Sequence, residues 1–419
     1  MPATVVNIIL GWGWLAVVAL MLWIAWKVYL YIKRIDYTNS VQWTILQITI
    51  PEESEETPKA MENAFDVWDG IHKSPDLIEK YFEGYVEAWY SCEIHCEKGR
   101  ARYLMVVPTM HRTFFEGVIY GQYPQATIIE VEDYTLRYHW KDLEKTFDMY
   151  GTEIVLTKGD IMPIKTYKSY EDVLAEEDKF VDPHQALIEA YTNIDEGQEF
   201  WVQIVVRPID PKLISKWEEH GEQEIDKIAG KEVGKNMGWL GQGWQGLLSL
   251  PAEIVRAAVE GPAEPGAGGK DKLRFPFTSE TDKARMQGIL DKISQGGYKT
   301  RIRVIHIAPM GQLHKPNISR AIGAFKQFNT FHLNSLAPSP ETKTNGPNYI
   351  LKAWRRYMRK RRILLYFQWR DLFSANEGDM MSAEELATLY HFPAKYMRAP
   401  AVERAKAGLG SAPDNVPYA

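Results

Sequence analysis

The hydrophobic pattern of the chain opens with a long uncharged run near its start. Residues 5–26 read VVNIILGWGWLAVVALMLWIAW and contain no acidic or basic side chain. A helix of this length rises about 33 Å, which is enough to cross the hydrocarbon core of a bilayer, about 30 Å thick. Its tryptophans, and the tyrosines that follow, are of the type enriched at membrane interfaces. We therefore predict that residues 1–34 form a transmembrane anchor.

Basic residues follow this run and do not precede it. Lys27, Lys33 and Arg34 come after it, whereas only the amino terminus is positive on the other side. The positive-inside rule then leaves the N-terminus outside and the bulk of the chain in the cytoplasm. A cleaved signal peptide is disfavoured, because the run lacks a basic leader and a small-residue cleavage site. We expect a single-pass protein of the inner (cytoplasmic) cell membrane.

Strand and helix patterns alternate over residues 41–135. The first strand ends at Pro51, and a stripe of apolar residues at helical spacing follows Thr57 and Pro58, a typical N-cap and first-turn pair. Two strands then flank the turn residues 97–100, and a second helix and a last strand complete the pattern. The order β-α-β-β-α-β is that of a ferredoxin-like unit, a sheet with two helices on one face.

A second unit is predicted over residues 199–335, after a connector over residues 136–198. Its first strand, EFWVQIVVRP, repeats the rhythm of WTILQITIP in the first unit, a weak sign of internal duplication. We expect an irregular ferredoxin-like unit with a Gly- and Trp-rich insertion at 230–273, which either packs on this unit or lies in the bilayer interface. Residues 336–419 carry a basic helix, a strand, a docking helix and a flexible tail.

The composition agrees with a folded α+β protein. The 419 residues are 45% hydrophobic and 25% charged, which is typical of globular chains. Two cysteines cannot form a disulfide scaffold. Cys92 and Cys96 lie on one face of a predicted strand about 13 Å apart, too far for a disulfide or a shared metal, so we expect both in the core. The predicted fold class is α+β, with one transmembrane helix followed by two ferredoxin-like units.

The motifs of nucleotide and metal chemistry are missing from the sequence. No Gly-Lys pair belongs to a Gly-x-x-x-x-Gly-Lys-Ser/Thr phosphate loop. Residues 241–246 match Gly-x-Gly-x-x-Gly, but no buried strand precedes them to aim the loop at a dinucleotide. The histidines follow no metal-ligand pattern, and Glu130, Glu132 and Asp133 fit a solvated strand edge. We therefore expect no cofactor, no bound metal and no catalytic residue.

Charge is distributed unevenly along the chain. The net charge is −6, but residues 301–370 hold fourteen Lys or Arg and one acid, a net of +13 against −19 in the rest. Four interpretations stay open for the densest part: it binds anionic lipid, nucleic-acid phosphates or an acidic protein surface, or it is a solvated helix paired with the chain's own acids. The residues concerned are Lys352, Arg355, Arg356, Arg359, Lys360, Arg361 and Arg362.

A capping-box pattern opens a short helix near the end of the chain. Ser382 and Glu385 have the Ser-x-x-Glu spacing that closes a helix N-terminus. A short amphipathic helix followed by a Gly/Ala/Pro tail is typical of segments that dock to a partner. The predicted docking residues are Glu384, Glu385, Leu386, Leu389, Tyr390, His391 and Phe392.

Six short passages, taken in order, resemble one protein family. They are IYGQYP (119–124), EVEDY (130–134), PIKTY (163–167), WVQIVVRP (201–208), SAEELATLYHFP (382–393) and APDNVP (412–417). They are similar to the membrane-proximal, non-catalytic half of the TraG/TraD-like coupling ATPases of conjugation and type IV secretion, which belong to the HerA/FtsK class. The resemblance is clearest for bacterial members with a single N-terminal anchor.

The resemblance implies a role without catalysis. In fused members a P-loop motor would start just after the last passage, whereas this sequence ends at Ala419. We therefore expect the motor on another chain, or lost in this copy. The expected function is a membrane platform for such an ATPase, with homo-oligomer assembly by analogy only. The alternatives are a membrane-tethered module that binds DNA or another nucleic acid through residues 352–362, and an unrelated membrane scaffold.

Overall fold

The computed structural model describes residues 3–52, 54–171, 182–229, 279–345, 350–372, 378–393 and 402. The predicted insertion, the Gly-x-Gly-x-x-Gly match and the passage at 412–417 lie outside the described residues. The strands are β1 (Trp43–Thr49), β2 (Tyr90–Glu97), β3 (Arg100–Pro108), β4 (Thr127–Glu130), β5 (Phe147–Leu156), β6 (Glu199–Pro208), β7 (Gly297–Pro309), β8 (Leu336–Pro338) and β9 (Asp379–Ser382).

Helices connect and cover these strands. They are α1 (Ala3–Ser40), α2 (Pro58–Trp68), α3 (Arg112–Gln122), α4 (Lys168–Glu171), α5 (Pro183–Thr192), α6 (Pro211–Ile228), α7 (Glu280–Ile293), α8 (Lys315–Ala324), α9 (Lys352–Gln368) and α10 (Ala383–Leu389). The predicted α+β class is confirmed, and the structure shows that the sheet is antiparallel.

All described strands belong to one sheet with the order β4-β1-β3-β2-β6-β7-β5-β8, and β9 pairs with the start of β7. Every pair is antiparallel. The two halves follow the same order, because each places its fourth, first, third and second strand in a row. The second strands, β2 and β6, would each be an exposed edge alone, and they pair with each other instead.

The second half begins earlier in the chain than the sequence suggests. The segment 136–198, predicted as a connector, contains both β5 and α5. Strand β5 pairs with β7 on one side and β8 on the other, so it holds the place that β1 holds in the first half. Asp148 and Glu153 interrupt the apolar pattern of this strand, which is why its sequence does not read as a buried strand.

The sheet is covered on both faces. On β3, Tyr103 and Met105 point to the face that carries α2, α3, α5, α8 and α10, where most of the hydrophobic core lies. Leu104 and Val106 point to the other face, where Ile363 and its neighbours on α9 pack. Because side chains alternate along a strand, each strand supplies both cores.

Several local predictions are confirmed. Helix α2 begins at Pro58 after Thr57, and Ser382 caps α10 in a complete capping box with Glu385. Lys98 and Gly99 connect β2 to β3 in left-handed conformation, as a two-residue hairpin requires. Cys92 and Cys96 are both free thiols, buried on the sheet face that carries most of the helices.

Helix α1 is continuous over 38 residues and lies against the segment that precedes β2. The side chains of residues 3–13 and of residue 16, which include the first part of the predicted anchor, lie outside the described part of the structure. Among the helices as described, none combines the length and the apolar content required to cross a bilayer.

Candidate functional site

The predicted basic segment forms α9, which lies across the sheet face opposite most of the helices. Ile363, Leu364 and Phe367 anchor it in the second core. Its outer side borders an open groove of about 550 Å³. The groove is lined by Glu341, Trp354, Arg355, Met358, Arg359, Arg361, Arg362, Leu365 and Tyr366.

Four of the seven predicted cations are engaged by the chain itself. Lys360 is buried and forms ion pairs with Glu144 (2.7 Å) and Asp148, so it is not available to a ligand. The guanidinium of Arg361 stacks 4.0 Å over the ring of Trp140. These contacts fix the helix on the sheet and remove part of the predicted binding surface.

Arg359 and Arg362 are held by backbone rather than by acids. Arg359 donates to the carbonyl of Lys343 at 2.8 Å, and Arg362 donates to the carbonyl of Glu341 at 3.4 Å. A neutral carbonyl orients a guanidinium without cancelling its charge. Both side chains therefore keep a full positive charge at the groove wall.

The remaining three cations are free within the described residues. Lys352, Arg355 and Arg356 are exposed, and none of them has an ion pair or side-chain hydrogen bond in this part of the structure. Trp354, between them, is 60% exposed. The N-terminal end of α9 thus presents positive charge beside an aromatic face, a combination suited to phosphate-bearing ligands.

A row of buried polar side chains crosses the sheet beneath α9. Glu93, Gln203, Arg303 and Glu153 face one another in register on β2, β6, β7 and β5. Gln203 donates to Glu93 at 2.8 Å, and Arg303 donates to Gln203 at 2.9 Å and to Glu153 at 3.2 Å. Burial lowers the pKa of Arg303 to about 10, although Glu153 opposes the shift.

Arg370, which follows α9, extends this row to Asp133 in the first half of the chain. It binds Glu93 at 3.1 Å and also forms an ion pair with Asp133. Burial acts to lower the pKa of Arg370, but Glu93 and Asp133 outweigh it and hold that pKa well above its usual value. The expectation of a solvated edge is therefore wrong for Asp133, because a partner 237 residues away covers it.

His95, Glu97 and Glu199 form a candidate metal cluster, with ligand atoms within 4.8 Å of one another. Arg102 donates to Nδ1 of His95 at 2.8 Å, so Nε2 carries the proton that Glu199 accepts at 2.8 Å. Arg137 adds a second guanidinium, 3.2 Å from both Glu97 and Glu199. The donor set is already satisfied by these cations, and we assign no metal to it.

The predicted docking residues lie inside the fold. All seven, from Glu384 to Phe392, are buried; Glu385 pairs with Lys292 at 2.9 Å and accepts from the backbone of Ile164 at 2.8 Å. Docking to another chain needs exposed side chains, so these residues serve the internal core instead. The helix itself is confirmed, but all of its residues are buried, and its apolar side chains meet α2 and β3 of the same chain.

The end of this segment forms a buried ion pair. Nε2 of His391 lies 3.0 Å from Asp182, and its Nδ1 lies 2.7 Å from the carbonyl of Ala387. Both ring nitrogens therefore act as donors, which requires the charged imidazolium. Burial acts to lower the pKa of His391, but Asp182 outweighs it and raises that pKa above the usual value. The neighbouring His184 has its pKa lowered to about 3 by burial.

Comparisons of the sequence with known proteins identify no relative. No protein-family model matches the chain, and no curated protein matches it either.

We predict that Arg370→Met destabilises the protein strongly, because it leaves Glu93 and Asp133 without their cation. Removing one member of a buried ion pair typically costs about 3–5 kcal/mol. The double variant Glu93→Gln/Arg370→Met should recover part of the loss. The measurement is the free energy of unfolding by denaturant, with Lys283→Met in an exposed pair as the control, which should change little. Equal effects of the two single variants would contradict the prediction.

The ion pair of His391 predicts a pH-dependent stability. Since the folded pKa is raised, the stabilisation is fully present below the ordinary imidazole value of about 6.5 and is lost as the pH rises through the folded pKa. The difference in unfolding free energy between the wild type and His391→Asn should therefore shrink as the pH rises above about 6.5. Asp182 stays ionised throughout that range, so a constant difference would refute the charged assignment.

Proposed function

We propose that the chain is a single-pass membrane protein whose α+β fold serves as a non-catalytic platform for a P-loop ATPase of the HerA/FtsK class. This ATPase is carried on another chain, and the two belong to a system of the conjugation or type IV secretion type. The observation that carries the proposal is the exposed surface of α1. Between Trp14 and Ile35 this helix exposes large apolar side chains, including the consecutive positions from Leu20 to Ile24.

Successive residues of a helix are about 100° apart, so apolar residues at consecutive positions surround it completely. Exposed apolar surface costs about 25 cal/mol per Å² in water, and a helix that is apolar all round belongs in a core or a membrane. The only large described side chain of this stretch that is buried is Leu30. A bilayer would cover the rest.

The passages that resemble the coupling family build the frame of the fold. Residues 201–208 belong to β6, which pairs the two halves, and Tyr134 donates to Glu93 at 2.8 Å. Residues 382–393 are the buried capping box and α10. We infer that both halves are ferredoxin-like units, since each has the strand order 4-1-3-2. Motifs with structural roles suit a platform better than a reaction centre.

Two measurements test this proposal. The full chain should stay in the membrane pellet after alkaline carbonate extraction, whereas a chain shortened to begin after Arg34 should leave it. Affinity purification of the full chain from detergent should recover a P-loop ATPase, and the shortened chain serves as the matched bait. Release of the full chain by carbonate would remove the anchor, and a clean purification without an ATPase would remove the platform role.

The groove beside α9 favours a second candidate function, the binding of nucleic acid by a membrane-tethered module. Three free cations lie at the N-terminal end of α9, and one of them, Arg355, lines the groove together with the exposed Trp354 and the two carbonyl-held arginines. Phosphates and a stacked base would both find partners there.

Replacing Lys352, Arg355 and Arg356 by alanine should weaken binding to single-stranded DNA and reduce its salt dependence, by about 0.7 in the logarithmic slope for each lost phosphate contact. The measurement is fluorescence anisotropy at several salt concentrations. Replacing Lys216, Lys227 and Lys283, on α6 and α7, is the charge-matched control. If both triple variants bind alike, or the wild type does not bind, this candidate is excluded.

A further inference from the structure

Three large apolar side chains project from the segment between α2 and β2. Leu77 is 74% exposed, Ile78 is 61% exposed and Phe82 is 58% exposed. They lie within six residues of one another, around a single π-helical turn at Glu79–Glu83. Three large, exposed apolar side chains so close together in the chain indicate a site of contact with another apolar phase.

The segment that carries these side chains lies beside α1. Gly84 approaches the backbone of Lys33 closely, and the ring of Tyr81 lies 6.4 Å from the ring of Trp26. Lys33 and Trp26 are seven residues apart, which is about 10 Å along the helix. The segment therefore runs along α1 from the level of Lys33, in the basic stretch of that helix, to the level of Trp26, where the uncharged run of the helix ends.

The segment is held in this position by its own contacts. Asp76 and Glu79 cap each other, each backbone N–H donating to the other's carboxylate, at 3.1 Å and 2.8 Å. Gly84 has a φ of +75°, and a Cβ there would lie 2.5 Å from the carbonyl carbon of Lys33. Tyr85 packs on Tyr37 with ring centroids 5.4 Å apart. These contacts hold the backbone on both sides of the three apolar residues in place.

We propose that the segment 76–84 is a second membrane-contacting element, which places Leu77, Ile78 and Phe82 in the interfacial layer of the lipid bilayer around α1. This inference rests on the proposed anchor. A lipid surface is the occupant that the geometry favours, because the three exposed side chains belong to the segment that packs beside α1 at the level of Trp26, where the proposed anchor leaves the hydrocarbon. Tyr81 and Trp26, which meet at this height, are aromatic residues typical of the interface.

This contact has a consequence for the platform. A single helix lets the domain swivel about its axis, whereas a second contact beside it fixes one orientation of the sheet relative to the bilayer. The faces of the sheet would then be presented at a defined angle to any partner in the cytoplasm.

The test uses spin labels on the full chain in vesicles of phosphatidylcholine and phosphatidylglycerol. Cysteine is introduced singly at Leu77, Ile78 or Phe82, with Met21 on α1 as the lipid reference and Phe331, which is 95% exposed, as the aqueous reference. Cys92 and Cys96 are fully buried, so they react little in the folded chain. We expect labels at 77, 78 and 82 to collide with oxygen and to lose access to an aqueous nickel chelate, as at position 21.

Each of the other possible outcomes refutes either the second membrane contact or the anchor. If position 21 is in lipid while the three labels behave like the label at 331, the second contact is refuted and the anchor stands. If position 21 is itself accessible to nickel, the anchor fails, and the inference fails with it. If the three labels are shielded from both reagents, a protein surface covers them, from a second copy or a partner, and lipid contact is refuted. The three positions report independently, so one misfolded variant does not decide the result.

Discussion

The antiparallel pairing of β2 with β6 is the interaction on which the rest of the structure depends. It turns two four-stranded halves into one sheet and places Glu93 opposite Gln203, at the centre of a buried polar row. Buried charges are costly unless they are paired, and here Arg303 of β7 and Arg370, which follows α9, supply the pairing. A slip by one residue would move this row to the apolar face, so the row also specifies the register.

The polar row explains why the two faces of the sheet differ. The face that carries α2, α3, α5, α8 and α10 holds an almost continuous apolar core, which includes Cys92 and Cys96. The opposite face is divided between apolar side chains under α9 and the charged row, where backbone carbonyls at the end of α9 accept from Gln203 and Arg303. The same helix therefore seals the interior at one end and presents free cations at the other.

The proposed roles depend on this difference between the interior of the fold and its periphery. Residues that resemble the coupling family hold the two halves together, while the features that could meet other molecules lie at the periphery: the apolar surface of α1, the segment around Phe82 and the basic end of α9. A buried frame with separate contact surfaces suits the proposed platform. Further polar groups inside, such as the pair of His391 with Asp182, add cohesion between segments far apart in sequence.

The sequence by itself determined the local elements: the hairpin at Lys98 and Gly99, the capping box at Ser382, the core position of both cysteines and the basic helix. These features depend on residues close together in the chain, which short-range patterns describe. Only the tertiary structure decided the place of β5, the ion pair of Asp133 with Arg370, the burial of the predicted docking helix and which arginines stay free. The first three depend on partners more than a hundred residues away, and the fourth depends also on the carbonyls of Lys343 and Glu341. Burial and charge pairing are settled only when the elements pack together.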